Sequence, residues 1–194
     1  IGFEICEDAW VARRPGARLA ENGVDIILNP SASHFAFGKQ EVRERFVLEG
    51  SRAFGVSYVY ANLLGNEAGR IIYDGETMIA SCGSMLALGE RFRFEDFRIT
   101  TAVLDIDASR MTRARTGSFK LDLEIEEDEF IHAEFDFAEI QPEPKDLAEP
   151  TWELGAAGKE EEFTRAVALA LFDYLRKSYS RGWVVSLSGG ADSA

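Results

Sequence analysis

The feature that most constrains this 194-residue chain lies near its C-terminal end. Trp183-Val184-Val185-Ser186-Leu187 reads as a strand, and it runs directly into Ser188-Gly189-Gly190-Ala191-Asp192-Ser193. Two glycines between a strand and an expected helix let backbone N–H groups approach an anion with no Cβ in the way. The hydroxyls of Ser188 and Ser193 add donors. The lysine that closes a Walker loop is missing, so the pattern suits a pyrophosphate that leaves whole, with Asp192 free to face a metal. An ordinary glycine-rich turn would carry the same letters. Before it, Phe163, Val167, Ala170, Leu171 and Tyr174 recur at helical spacing, and Arg176 and Lys177 fall where cations suit a helix C-terminus. A helix, a strand and a glycine loop in this order point to an α/β architecture.

The second informative stretch is Ile1-Gly2-Phe3-Glu4-Ile5-Cys6-Glu7-Asp8-Ala9-Trp10. Its alternation predicts a strand that ends at Cys6, with Glu7 and Asp8 at the mouth of a turn or helix. Free N–H groups and a helix dipole there would favour a thiolate and hold a developing oxyanion. A buried free cysteine packing as a small hydrophobe fits the decapeptide as well. Glu4 is close to Cys6 in sequence, but it is not assigned the role of general base.

Between these two stretches the pattern predicts a helix over 18–22 closed by Gly23, and a strand at Val24–Leu28. That strand ends in the polar loop Asn29-Pro30-Ser31-Ala32-Ser33-His34-Phe35, a good place for ligand contacts. A helix follows over Lys39–Phe54 with Val42, Phe46 and Ala53 on one face and Glu41, Arg43, Glu44 and Arg45 among its charged positions. Val56–Asn62 reads as a strand, Gly65–Gly69 as a turn, and Thr77–Cys82 with Ser84–Leu88 as a hairpin about Gly83. Strand signals recur at Arg91–Phe94 and Ile99–Ile106. From Lys120 to Glu149 there are 12 acidic and 2 basic residues. With Pro142, Pro144 and Pro150, this composition makes 109–157 a connection between domains, partly ordered through Phe130, Phe135 and Phe137.

The net charge of -13 excludes a nucleic-acid footprint, which needs a basic stripe. Two cysteines make no disulfide framework and suit a reducing cytoplasm, and two separated histidines give no zinc spacing. No apolar run is long enough to span a membrane.

Taken together, the Cys-Glu-Asp strand end, Asn29-Pro30-Ser31-Ala32-Ser33, Tyr60-Ala61-Asn62-Leu63-Leu64-Gly65, Asp74-Gly75-Glu76-Thr77 and the Ser-Gly-Gly-Ala-Asp-Ser loop resemble the glutamine-dependent NAD synthetase family. The resemblance implies that 1–108 is the C-terminal half of a nitrilase-like α-β-β-α sandwich acting as glutaminase. It makes 158–194 the first helix, strand and loop of a doubly wound parallel α/β synthetase domain. Cys6 is then the nucleophile that attacks the glutamine amide. The Glu7 N–H is an oxyanion donor, its side chain reads the substrate's α-amino group, and Trp10 and Ser33 contact bound glutamine. Ser188, Gly189, Gly190, Asp192 and Ser193 hold the phosphates of ATP, with Asp192 toward Mg²⁺. Glutamine, deamido-NAD and ATP are the implied small-molecule partners, with no nucleic acid, no membrane, no prosthetic group, and a homo-oligomeric full-length protein. The family's catalytic Glu and Lys have no counterpart in these residues and are expected upstream, and the dinucleotide contacts downstream, so the chain alone is expected to be inactive. A free-standing amidase, another glutamine-fed ATP pyrophosphatase and an inactive nitrilase-like scaffold remain open alternatives.

Overall fold

The computed structural model describes residues 1–122, 130–134, 136, 141, 147 and 151–193. Phe135, Phe137 and the three prolines invoked for the connection lie outside the described residues. A mixed five-stranded sheet runs in the order β1-β2-β3-β6-β7, formed by Gly2–Phe3, Ile26–Ser31, Ser57–Asn62, Thr77–Ser81 and Ser84–Leu88. The first three strands are parallel and the last three antiparallel, with Ile27 opposite Tyr58 and Tyr58 opposite Ala80. The parallel joins are made by helices, as a crossover requires: α1 (Pro15–Glu21) and α2 (Lys39–Phe54). A separate hairpin, β4 (Leu64–Glu67) with β5 (Ile71–Asp74), sits between β3 and β6 in sequence.

Ala20, Val24, Ile27, Val47, Val56, Tyr58, Tyr60, Met78 and Ala80 form the main core, with Phe46, Phe54, Leu88 and Met85 packed against it. Burying these side chains against α1 and α2 is what fixes strand register, since a one-residue slip would turn Tyr58 and Tyr60 to the opposite face. Beneath the same helices Glu4 is fully buried and accepts from Arg14, from Tyr58 Oη at 2.5 Å and from the Gly16 N–H at 2.9 Å. Glu4 is thus held in a buried network with Arg14, Gly16 and Tyr58.

Several elements match expectation. Helix α2 spans Lys39–Phe54 and stops at Gly55, whose φ of 61° is the left-handed C-terminal cap that glycine supplies cheaply. The β6–β7 turn places Cys82 and Gly83 at φ 49° and 91°, a two-residue primed turn.

Others differ. β2 continues through Asn29-Pro30-Ser31. Pro30 faces the side on which β1 has already ended, so its missing N–H costs no ladder bond. Gly65, Asn66 and Glu67 are strand residues of β4, leaving only Ala68–Arg70 to turn. Arg91–Phe94, 99–106 and Trp183–Leu187 form no strand among the described residues. A β ladder needs a neighbouring backbone and none pairs with them, so the apolar residues of 183–187 are exposed, Val184 completely. In their place, α3 (Ile106–Arg115) starts at an Asp105 cap, spans the expected boundary at 108, and ties Arg110 and Arg113 to Val24 and Asp25 just ahead of β2.

Helix α4 (Gly158–Lys177) lies against the β4–β5 hairpin. Its buried stripe is Ala166, Leu169 and Asp173, whereas Phe163, Leu171 and Tyr174 of the expected stripe stay 55%, 47% and 44% exposed. The physical reason is polar. The buried Asp173 carboxylate accepts from the Asn66 N–H at 2.6 Å, Lys177 Nζ donates to the Asn66 carbonyl, and Arg176 and Lys177 neutralise Asp173. A periodicity count over apolar letters cannot see such a contact.

Candidate functional site

The three parallel strands end on the same side of the sheet, and that is where the candidate nucleophile stands. β1 gives way after Phe3, and Cys6 opens a five-residue 3₁₀ helix, Cys6–Trp10, with φ of 48°. A non-glycine residue at positive φ is uncommon, and here it aims the side chain out of the turn. The Asp8 N–H bonds to the Ile5 carbonyl, and the Asp8 carboxylate accepts from the Ile5 N–H at 2.8 Å. The Glu7 N–H precedes the first intrahelical bond and has no intrahelical acceptor. The helix is a single short turn, so its dipole is weaker than the sequence suggested; what it supplies is the Glu7 N–H, next in sequence to Cys6 and without an intrahelical acceptor.

Cys6 and Ile5 form one wall of a depression of ≈ 410 Å³. The opposite wall is built from the ends of β2 and β3, with Ser31 and Ala32 from one and Ala61, Asn62 and Leu63 from the other. Ligand sites in open α/β sheets collect at such carboxyl ends. Of the expected glutamine contacts, Glu7 is exposed at the surface, and Trp10 packs edge-on against Phe46 at 5.1 Å with Lys39 Nζ 5.5 Å from its ring centre. Ser33 is buried, its hydroxyl accepting from Arg43 Nε at 3.3 Å and its backbone paired both ways with the Asn62 amide. It stands behind the wall, whereas Ser31 and Ala32 form the face.

Two cations that sequence reading did not single out as functional belong to this region. Lys39 donates to His34 Nδ1 at 3.3 Å. Burial and the Arg43 guanidinium hold the Lys39 ammonium below its usual range, partly offset by Asp74 and Cys6, and the Lys39 charge in turn lowers His34. Arg43, read as one of the charged positions of α2, is completely buried. Its Nη1 donates to Asp74 Oδ2 at 2.5 Å and Glu76 Oε2 at 3.1 Å. No local signal reveals this, because both acceptors lie more than thirty residues away in sequence.

One guanidinium nitrogen facing two buried carboxylates is not enough to ionise both. Glu76 Oε1 has no hydrogen-bond partner, and burial followed by the Asp74 charge pushes the Glu76 carboxyl up to about 8 against the pull of Arg43 and Arg91. A folded-state pKa above the unfolded value means the native protein holds the proton more tightly. The resulting stabilisation is complete below the ordinary glutamate range and is lost as pH rises through about 8. Glu76→Gln, which stays neutral, is therefore expected to flatten the stability–pH curve between about pH 5 and 8, a window worth a few kcal/mol. Urea unfolding at several pH values checks this. Parallel curves for parent and variant would show that Glu76 is ionised throughout.

The glycine loop has a self-contained geometry. Ser193 Oγ accepts from the Ser188 N–H at 3.0 Å and lies 3.0 Å from Ser188 Oγ, and Gly189 has φ of 78°. The left-handed glycine is thus Gly189, while Gly190 has an ordinary φ and an added Cβ there would meet only Ser188 Oγ at 3.5 Å. Asp192 is exposed. Among the described residues no three His, Cys, Asp or Glu side chains cluster as a metal site, and no helix is long and apolar enough to cross a membrane.

In fold, this mixed α/β chain is similar to a carbon–nitrogen hydrolase from Helicobacter pylori. That structure aligns with a TM-score of 0.50 at 22% identity, over 59% of this chain and 43% of the other. A closer likeness runs the whole length: the chain is homologous to a segment of glutamine-dependent NAD(+) synthetases. The mouse protein of that name is 36% identical over 197 residues, covering 100% of this chain and 27% of its own length. A solved glutamine-dependent NAD(+) synthetase from Cytophaga hutchinsonii is 40% identical, with a TM-score of 0.63 over 98% of this chain and 23% of the other. The chain therefore spans about a quarter of the length of these relatives. No family model matches it.

Proposed function

We propose that this chain is the part of a glutamine-hydrolysing NAD(+) synthase that carries the glutaminase nucleophile and the pyrophosphate loop. The observation that carries the reading is that one similarity covers 100% of the chain, so it includes both Cys6 and Ser188–Ser193. In this reading 1–108 is the second half of the nitrilase-like sandwich, 109–157 the acidic connection, and 158–194 the start of the synthetase domain. The half-buried Ile26, Leu28 and Val59 on the sheet face away from α2 suit a second layer.

The Cys6 sulfur attacks the amide carbon of glutamine, the Glu7 N–H donates a hydrogen bond to the oxyanion, and ammonia leaves to give a glutamyl thioester that water then cleaves. Glu7, Trp10 and Ser33 serve the glutamine, and Lys39 places a positive charge at the same mouth, suited to a carboxylate. At the other site the loop N–H groups and the Ser188 and Ser193 hydroxyls cradle ATP phosphates. A hard cation bound mainly through those phosphates needs only one or two carboxylates, and Asp192 fits that role for Mg²⁺. The carboxylate of deamido-NAD displaces pyrophosphate from ATP, and ammonia then displaces AMP to give NAD.

A free-standing amidase is the second reading, favoured by the fold likeness to a carbon–nitrogen hydrolase. The full-length protein given glutamine, deamido-NAD and MgATP is expected to form one AMP and one pyrophosphate per NAD. Glutamate release with no pyrophosphate and no NAD under those conditions would leave the amidase.

A further inference from the structure

We propose that Arg43 is the positioning residue of the Cys6 site: its guanidinium fixes the Ser33–His34 backbone, and through it the Ser31–Ala32 wall that faces the sulfur. The proposal rests on Cys6 being the nucleophile of the site described above. After Ser31 the chain leaves the sheet, so the carbonyls of Ser33 and His34 have no strand to accept from. Arg43 takes the place of that strand. Its Nη2 donates to the Ser33 carbonyl at 2.8 Å and the His34 carbonyl at 3.1 Å, while Nε reaches the Ser33 hydroxyl. Behind it Asp74 and Glu76 hold Nη1, and Asp74 Oδ1 also accepts from Asn62 Nδ2 at 2.7 Å. Asn62 lines the same depression as Cys6 and clasps Ser33 on both sides, so the β2 and β3 parts of the wall opposite Cys6 are locked to one buried cation.

Two arguments favour positioning over plain packing. A buried ion group is poor value as stability, because apolar residues of the same volume serve as well or better. A planar fork with donors on three nitrogens can serve two carbonyls, a hydroxyl and two carboxylates together, which the single nitrogen of a lysine cannot. The wall therefore depends on the shape of the side chain as well as on its charge.

The test is Arg43→Lys in the full-length protein, which keeps the charge and loses the fork. Two reagents label the same sulfur: iodoacetamide, too small to need the wall, and a glutamine-shaped diazoketone, which must be seated. The diazoketone rate is expected to fall about 10²-fold, since an ångström of misplacement costs that much. Iodoacetamide labelling should stay within about threefold, because thiol exposure is unchanged. Amide exchange across residues 32–35 should rise about tenfold, with Tyr58 and Tyr60 as protected as in the parent. Asp74→Asn, which leaves the arginine in place with one fewer anion, should shift all three readings the same way by less, and serves if Arg43→Lys does not fold. Diazoketone labelling at the parent rate with unchanged exchange overturns the proposal, as does an equal loss with both reagents. Should the parent itself not favour the diazoketone, the glutamine reading fails, and the exchange of 32–35 alone still decides for or against Arg43.

Discussion

Cys6→Ala in the full-length protein is expected to abolish NAD formation from glutamine and to leave formation from ammonium salts close to the parent rate. In the proposed function the two sites divide the labour: Cys6 would serve only to release ammonia, while the adenylate would form at the Ser188–Ser193 loop. Loss of a covalent nucleophile typically costs on the order of 10⁴–10⁶ in rate. The substitution is clean for structural reasons. Cys6 is half-buried, makes no disulfide, and already holds φ of 48° with a Cβ in place, so alanine adds no strain that cysteine lacks. Unfolding free energy should move by less than about 0.5–1 kcal/mol. The measurement is NAD formation with each nitrogen source, alongside denaturant unfolding of both proteins. An equal fall in ammonium-dependent synthesis by a variant of parent stability would show that Cys6 is not a dedicated glutaminase residue.

What the letters revealed about this site follows from what each signal depends on. The Cys6 junction was legible only in part: alternation from Ile1 to Ile5 placed a strand before Cys6, but β1 is only Gly2–Phe3, and Cys6 instead opens the 3₁₀ turn. α2 was legible in both bounds because a glycine closes it at Gly55. The faces of helices were less so. Arg43 reads as a solvated charge from its own helix, and only the fold brings Asp74 and Glu76 to it. Asp173 reads as a polar position in α4 and turns out to be the anchor of that helix on Asn66.

Strands were over-read for a related reason. Arg91–Phe94 and Trp183–Leu187 carry β-rich letters, but strand propensity measures fit to a pleated, half-buried surface. Arg91 instead donates to Glu153 at 3.1 Å and Glu162 at 2.7 Å, and the Phe92 N–H bonds to the Asp74 carbonyl with φ of 58°. The segment is thus a strap tying Trp152 and α4 to the β4–β5 hairpin. The depression was half legible: a polar loop after β2 was expected to carry contacts, yet Ser31 and Ala32 line the depression, only Ala32 of them exposed, and Ser33 is buried behind them.

The loop itself gives the second large effect, in the same full-length protein. Gly189→Val is expected to remove NAD formation with glutamine and ammonium alike, and Asp192→Asn to do so for a different reason. Gly189 sits at φ of 78° with nothing within 4 Å of an added Cβ, so valine has room but not the backbone: a β-branched residue is strained there and pulls the neighbouring N–H groups off their common target. Gly190 has no such restriction, and Gly190→Ala should therefore be milder than Gly189→Val. Asp192→Asn keeps the size of the side chain and removes the charge that a hard cation wants. Losing one such electrostatic contact costs about 3–4 kcal/mol, or roughly 10²–10³ in rate. Glutamine hydrolysis at Cys6 should persist in both variants, because neither residue touches that depression. The measurement is conversion of ATP to pyrophosphate with deamido-NAD, run once with each nitrogen source, and pyrophosphate release at the parent rate by folded Asp192→Asn would reduce the loop to a structural turn and return the chain to the amidase reading.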